Sequence, residues 1–341
     1  MAAVTTSRPS GASATTPARF DLMLDAAWRR RAPLAASPLV TAYRVLDGAG
    51  DGCPGVSIDR YGPAAVLNVD DDAGLSHDGV TAMADAALRV LGSAGVTAVY
   101  VKPFARDRSR LGGTPPDEAR SATPRAGTAL PASLVVAEYG VRFEVRPYDG
   151  LSTGLFLEHR EHRRALADRQ PTRVLNLFAY TCAFALPMAA RGAAVTNVDV
   201  SGRYLDWGRR NLALNQLAPG EVRFLRRDAR AFLDAAIGRS DQRFDLVILD
   251  PPTFGAADRR RRIPAWQATR DYPALVRAAV AVLAPGGAVF AASNARALTG
   301  DGVLARLIVE ALGRAPHWRP LPPWPVDVTD RGRVTAALFE P

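Results

Sequence analysis

Lysine is almost missing from this chain of 341 residues: Lys102 stands alone among 43 basic residues, and all the others are arginine. Set against 34 acidic residues, this leaves a net charge of +9. Such a surplus favours a polyanionic partner, because a basic surface concentrates phosphates and steers their approach. Arginine adds a planar fork that pairs with phosphate and stacks on bases, although a compositional bias that also enriches alanine would give the same excess. Cysteine is scarce too. Cys53 and Cys182 lie too far apart to form a disulfide framework or a paired-spacing zinc cluster, which suits a reducing, cytoplasmic compartment. The histidines are His77, His159, His162 and His317; one pair has helical spacing, but no further ligands complete a set around it, so no metal is expected. No apolar run reaches about 18 residues and no leader with a cleavage site opens the chain, so neither a membrane span nor secretion is expected.

What remains is an ordinary globular composition, 48% hydrophobic and 23% charged, in a chain long enough for two domains. Residues 1–19 are Ala, Ser, Thr and Pro with two arginines and no acid, which predicts a disordered tail; a transit peptide is the alternative. Residues 20–150 predict a smaller α+β domain, with β runs at Tyr43 to Leu46, Val56 to Ile58 and Tyr61 to Pro63 between turn signals. A long mobile loop is expected over residues 106–127, before strands at Leu134 to Ala137 and Val141 to Val145. Residues 151–341 change character. Apolar runs at Val174 to Phe178, Val195 to Val198, Val222 to Leu225, Leu246 to Leu249 and Ala288 to Ala291 alternate with amphipathic helical segments, with an edge strand possible at Thr335 to Phe339. That alternation predicts a doubly wound, Rossmann-like α/β sheet covered on both faces.

Ligands of such sheets bind beyond the carboxyl ends of the strands. The first strand leads into Phe178-Ala179-Tyr180-Thr181-Cys182, and the second ends in Asp199, about 20 residues on, a spacing that suits a carboxylate accepting from two ribose hydroxyls. A helix cap by Asp199 and Ser201 is the equal alternative. Asp228 follows the third strand. The fourth ends in Asp250-Pro251-Pro252-Thr253-Phe254, where two prolines stiffen a loop carrying a carboxylate and an aromatic ring, able to meet the edge and face of a base.

The segments LNLFAYT, VDVSGRYLDWGRRNLALNQL, RFDLVILDPPTF and SNARAL, together with DRYGPAAVLNV, VYVKPFARDRSR and DGLSTGLFLEHREHRRAL, resemble the bacterial large-subunit ribosomal RNA methyltransferases over roughly residues 40 to 339. The likeness is strongest to their N7-guanine module and weaker to their C5-cytosine members. It implies S-adenosylmethionine as cofactor, a methyltransferase sheet and an RNA substrate. By position, Asn176, Phe178 and Tyr180 would line the methionine end, Asp199, with Ser201 beside it, would bind the ribose, and Asp228 the adenine. Phe156 and Arg160 would close the pocket, and Asp250, Pro251 and Phe254 would face the target base. Two departures stand out: Cys182 replaces a glycine expected to let backbone approach the cofactor, and Pro187 falls in the following helix.

Methylation at C5 of a pyrimidine needs a nucleophile that adds to the ring, and neither cysteine is placed for it; after the fifth strand the chain reads Ala292-Ser293-Asn294. Guanine N7 is already nucleophilic and needs mainly alignment, with Asp250 and Asn294 orienting the base and Phe254 stacking on it. Asp250 as proton acceptor for an exocyclic amine is the competing role. Lys102, Arg106, Arg108 and Arg110 in the N-terminal domain and the run Arg259, Arg260, Arg261, Arg262 are expected to contact RNA phosphates; a solvated charged face is the alternative. A methyltransferase of a small molecule or protein, or a non-catalytic RNA-binding assembly factor, are the rival functions.

Overall fold

The computed structural model describes residues 17–104, 116–217, 221–261 and 263–341. Helix α1 (Pro17–Arg30) carries Phe20, Leu24 and Ala27 on one buried stripe. That stripe docks the helix on a sheet, so residues 17–19, expected in the disordered tail, are helical. After the single turn α2 (Ala32–Ala35) come β1 (Ala42–Asp47), β2 (Val56–Tyr61), β3 (Ala64–Asp70), helix α3 (His77–Leu91), β4 (Ala98–Phe104) and β5 (Ala126–Gly127). They form one sheet in chain order, antiparallel except where α3 crosses between β3 and β4. The expected run Tyr61 to Pro63 divides instead: Tyr61 closes β2, and Gly62, at φ +60°, makes the turn. Side chains alternate across the sheet. Tyr43, Val45, Ile58, Leu67 and Val99 pack under α1 and α3, and Ala42, Tyr61, Val66 and Tyr100 face the other way.

Of the loop expected to be mobile over 106–127, residues 106–115 lie outside the described residues, and residues 116–127 are ordered. Ala119 is buried and its carbonyl accepts from Gly150 N (3.1 Å), Arg125 pairs with Glu118, and β5 pairs with β4. The hairpin β6 (Leu134–Glu138) and β7 (Val141–Val145) follows.

The second sheet contains β8 (Arg173–Leu177), β9 (Ala194–Asp199), β10 (Val222–Arg226), β11 (Phe244–Leu249), β14 (Leu283–Ser293), β15 (His317–Arg319) and β16 (Thr335–Glu340), with the small pair β12 (Phe254–Gly255) and β13 (Trp266–Gln267) outside it. Its order is β10-β9-β8-β11-β14-β16-β15, the first five strands parallel and the last two antiparallel. Between them run α4 (Arg160–Asp168), α5 (Leu186–Ala189), α6 (Gly202–Leu214), α7 (Ala229–Ala236), α8 (Ala268–Ala281) and α9 (Val303–Leu312). Leu175, Val247, Leu249 and Val289 bury against α7, α8 and α9, while Val174, Ile248 and Phe290 bury against α4 and α5. This second cluster continues without a break through Val136 and Phe143 into Val66 and Tyr100, so one apolar core joins residues before and after position 150. The hairpin docks on α6, where Trp207 Nε1 donates to Glu144 O (3.0 Å) and Glu144 N donates to Asn211 Oδ1 (2.7 Å).

Both departures in the loop after β8 are accommodated. Cys182 sits at φ +62°, but its buried thiol turns into α6, between Ala179, Leu205 and Phe224, in space left by Gly208. A Cβ on Gly208 would lie 2.4 Å from that sulfur. Pro187 stands in the first turn of α5, where its missing N–H is not needed, so it breaks no helix interior. Gly208→Ala should therefore destabilise the fold by about 1–3 kcal/mol through overpacking. Cys182→Gly in the same chain should recover most of that loss, a coupling that urea denaturation of the double-mutant cycle will measure.

Candidate active site at the carboxyl ends of the parallel strands

The strand order reverses between β8 and β11, and the loops leaving them diverge into a crevice. Phe178 and Tyr180 both take positive φ, +55° and +50°, a backbone that non-glycine residues adopt only when their surroundings hold it. Asp199 is part of that hold: its Oδ2 accepts from Tyr180 N (2.9 Å) and its Oδ1 from Ser201 N (2.8 Å). Burial raises the Asp199 carboxyl, and these backbone donors oppose the rise. Ser201 caps α6 by accepting from Tyr204 N (3.3 Å). The segment before α4 closes over this loop through Thr181 Oγ1, which donates to Gly154 O (2.7 Å). Gly154 has φ +105°, and a Cβ there would meet the Trp207 ring at 2.4 Å, so only glycine lets the two segments approach. Phe156, 42% exposed, leans on Tyr180 with ring centroids 5.4 Å apart. The Tyr180 hydroxyl is buried near Ser152 and the Gly154 backbone without good hydrogen-bond geometry to either. Beyond β9 an open cleft of about 500 Å³ is lined by Val200, Ser201, Gly202, Arg203, Asp206, Arg226 and Arg261.

At the end of β11, Asp250 keeps a quarter of its side chain exposed, and among the described residues it accepts no hydrogen bond. Burial, then the charge of Glu158, pushes its carboxyl up to about 7, with Arg163 opposing. His159 Nε2 stands 4.0 Å from Asp250 Oδ2, and His159 Nδ1 lies 3.0 Å from His162 Nδ1. Both rings are buried among Phe184, Phe290 and Trp324 and pushed down to about 3, so both are neutral at pH 7. The Pro251-Pro252 turn is fastened by Trp266 Nε1 donating to Pro252 O (2.7 Å), and Thr253 Oγ1 meets Asn294 Oδ1 at 3.0 Å. Phe254 projects with 56% of its surface exposed. Beyond it, Arg259 and Arg260 are exposed at a hairpin tip that Arg261 ties down through Val200 O (3.0 Å) and Asp258.

Two expected roles change, those of Lys102 and Arg160, and Asn176 and Asp228 also hold partners within the fold. Lys102 is 1% exposed, not a surface phosphate contact; its Nζ donates to Leu151 O (3.2 Å), and burial lowers it to about 7. The strand β4 turns it inward toward Asp59 and Asp149. Arg160 does not line the crevice: it is buried in a bidentate pair with Asp327. Asn176 spends its amide on Asn197 Oδ1 (2.9 Å) within the sheet. Asp228 caps α7 through Arg230 N and Ala231 N, and its second oxygen pairs with Arg230. Arg106, Arg108, Arg110 and Arg262 lie outside the described residues. Sequence reasoning passed over Glu158 and Asp327, and weighed His159 and His162 only as metal ligands. The histidine pair could have been found as a buried polar stripe at helical spacing.

A five-stranded parallel sheet continued by an antiparallel pair, a reversal at its centre and a carboxylate at the end of its second strand define a cofactor-dependent enzyme of the doubly wound class. The family model described as S-adenosylmethionine-dependent methyltransferase matches residues 117–328, and the chain belongs to that family. Its cofactor is S-adenosylmethionine. Solved structures share the fold: one from Streptococcus mutans, described as an S-adenosylmethionine-dependent methyltransferase, has 24% identity and superposes with TM-score 0.79, covering 95% of this chain and 81% of that one. A methyltransferase solved with S-adenosylhomocysteine is 25% identical, TM-score 0.78, with 94% and 81% covered. Two curated relatives are named Ribosomal RNA large subunit methyltransferase K/L. The one from Shewanella loihica is 38% identical over 49% of this chain and 23% of its own length. The one from Allochromatium vinosum is 40% identical over 47% of this chain and 22% of its own. The match thus spans under a quarter of each of these relatives. Among the described residues no helix is long and apolar enough to cross a membrane.

The buried ammonium of Lys102 gives a pH signature. Between about 7 and its ordinary 10.5 the unfolded chain binds more protons than the folded one, so stability should rise with pH across that window. Lys102→Met should abolish the rise, read from melting temperatures between pH 7 and 10.

Proposed function

We propose that this chain methylates a guanine of large-subunit ribosomal RNA, at N7, as a cytoplasmic enzyme. The observation that carries the reading is the stiffened loop after β11, which opens on the partly exposed Asp250 carboxylate and, four residues on, projects an exposed aromatic ring, Phe254. An ionised Asp250 accepts from the N1–H and N2–H of guanine while Phe254 stacks on the base and Asn294, held by Thr253, faces it from β14. The relatives' names and the net charge of +9 support RNA as substrate. When bound, the cofactor supplies a methyl group activated by its sulfonium. Asp199 takes its ribose hydroxyls, and Phe156, Phe178 and Tyr180 take the methionine end, where the unpartnered Tyr180 hydroxyl fits a polar group. Asp228 and Ser201 reach the adenosine end only while capping their helices. Arg259 and Arg260 contact phosphates from the hairpin tip, and residues 20–150 extend the RNA surface.

Cys53 and Cys182 are both buried, and burial raises the Cys182 thiol well above its ordinary value, against a thiolate mechanism at C5. One observation favours a second target: a carboxyl near 7 suits a proton acceptor for the exocyclic amine N2. Mass-spectrometric nucleoside analysis of large-subunit ribosomal RNA from cells lacking the gene decides. Loss of 7-methylguanosine supports the first reading, loss of N2-methylguanosine the second, and an unchanged profile defeats both.

Asp199→Ala should weaken cofactor binding roughly ten- to a hundredfold by calorimetry, the loss of charge-assisted hydrogen bonds of about 1.5–3 kcal/mol. Replacing Arg259 and Arg260 by Ala should flatten the slope of log RNA affinity against log salt by about 0.7 to 0.9 per lost contact. Phe254→Ala should instead lose about 1–3 kcal/mol of stacking with the slope nearly unchanged.

A further inference from the structure

The histidines behind Asp250 are tied to each other before they are tied to anything else. Both are neutral at pH 7, so their 3.0 Å Nδ1 to Nδ1 contact requires one ring to carry the Nδ1 proton and the other to leave it bare. Two arrangements satisfy that. If His162 donates, the proton of His159 sits on Nε2, which faces Asp250 at 4.0 Å. If His159 donates, it turns a lone pair toward the carboxylate, and that arrangement suits only a protonated Asp250. The tautomer of one ring and the charge of the carboxyl are thereby interlocked.

The other groups around this chain of contacts leave the histidines as its adjustable part. Glu158 faces Asp250 and opposes its ionisation, and Arg163, which favours it, is committed to Glu138 in a bidentate pair. The Tyr272 hydroxyl donates to Ala292 O (2.8 Å) and is not available to the carboxylate. Phe184, Phe290 and Trp324 wall the two rings and leave no water-facing edge, with both histidines 2% exposed.

We propose that His159 is a positioning residue: with its tautomer set by His162, it donates Nε2–H to Asp250 as the site fills, holding the carboxylate aimed and in its acceptor state for the guanine edge. The inference rests on the reading of Asp250 as the base-facing group. The 4.0 Å separation is of the kind that tightens when substrate closes a site. His162 never touches substrate in this scheme; it acts through His159, as the outer partner of a catalytic histidine commonly does by choosing which nitrogen bears the proton.

Three measurements on the whole 341-residue chain test it. In the ¹⁵N spectrum of histidine-labelled protein at pH 7, His159 should show its proton on Nε2 and His162 on Nδ1; the reverse pair overturns the proposal without any mutation. Single-turnover methyl transfer to large-subunit ribosomal RNA from cells lacking the gene supplies the second. With His159→Phe, the acid limb of the rate profile should move up by about one pH unit, since a lost donor makes the proton about tenfold harder to remove. His159→Gln, whose amide places a donor near the same point, should restore the limb, whereas a merely structural role would lower the rate at every pH and leave the limb in place. An unmoved limb in a folded His159→Phe protein overturns the proposal. The third is Asp250→Asn: loss of transfer keeps the reading of Asp250, and transfer at the wild-type rate overturns that reading and this inference together.

Discussion

Asp327 is the residue on which the arrangement turns. It is wholly buried, and its carboxylate accepts from both terminal nitrogens of Arg160 and from the backbone N–H of Arg44, while its carbonyl accepts from Arg31. One residue therefore joins the start of α4, the edge strand β1, the linker after α1 and the segment that returns toward β16. Around it, Asp47 accepts from Thr329 N and Asp330 N, and Asp51 pairs with Arg30 and Arg31. Charges taken out of water add little net stability, because desolvation offsets their attraction. What they contribute here is register: a displaced strand would leave several buried charges without partners, a penalty far larger than the pair is worth when made.

That clamp has a consequence at the crevice. Arg160 and His159 are neighbours at the start of α4, so fixing the guanidinium against Asp327 also fixes the imidazole behind Asp250. The apolar core running from Val66 and Tyr100 to Ile248 and Phe290 makes the same connection through packing. The N-terminal sheet is thus part of the frame of the site, since its strands and the carboxyl ends of β8 and β11 share one set of contacts.

The crevice itself combines opposed demands. A carboxylate in a crevice must be desolvated enough to bind selectively and ionised enough to accept hydrogen bonds. Asp250 stands between these, pushed up by burial and Glu158 and kept partly open to solvent. Asp199 resolves the same conflict differently, with backbone N–H groups from Tyr180 and Ser201 already in place. Its neighbours pay for that arrangement in backbone strain, with Phe178 and Tyr180 both in the left-handed region.

Periodicity and strand-end chemistry in the sequence determined most of the second sheet, because a strand buried on both faces must be an apolar run and the polar residue that ends it must lie at the crevice. Val141–Val145 was legible to the residue, and the places of Asp199 and Asp250 at the carboxyl ends of β9 and β11 were legible from the apolar runs that precede them. The tertiary structure decided what those signals leave open. Whether Lys102 faces solvent depends on which side of β4 meets the loop carrying Leu151, and that is set by packing between segments distant in sequence. Whether Cys182 obstructs the crevice depends on Gly208, a residue on another element. Arg160 and Asp327 are 167 residues apart, and nothing local marks either as the other's partner. A charge announces its presence in a sequence; its partner is chosen only when the chain folds and the cost of leaving it bare in a dry interior selects one arrangement.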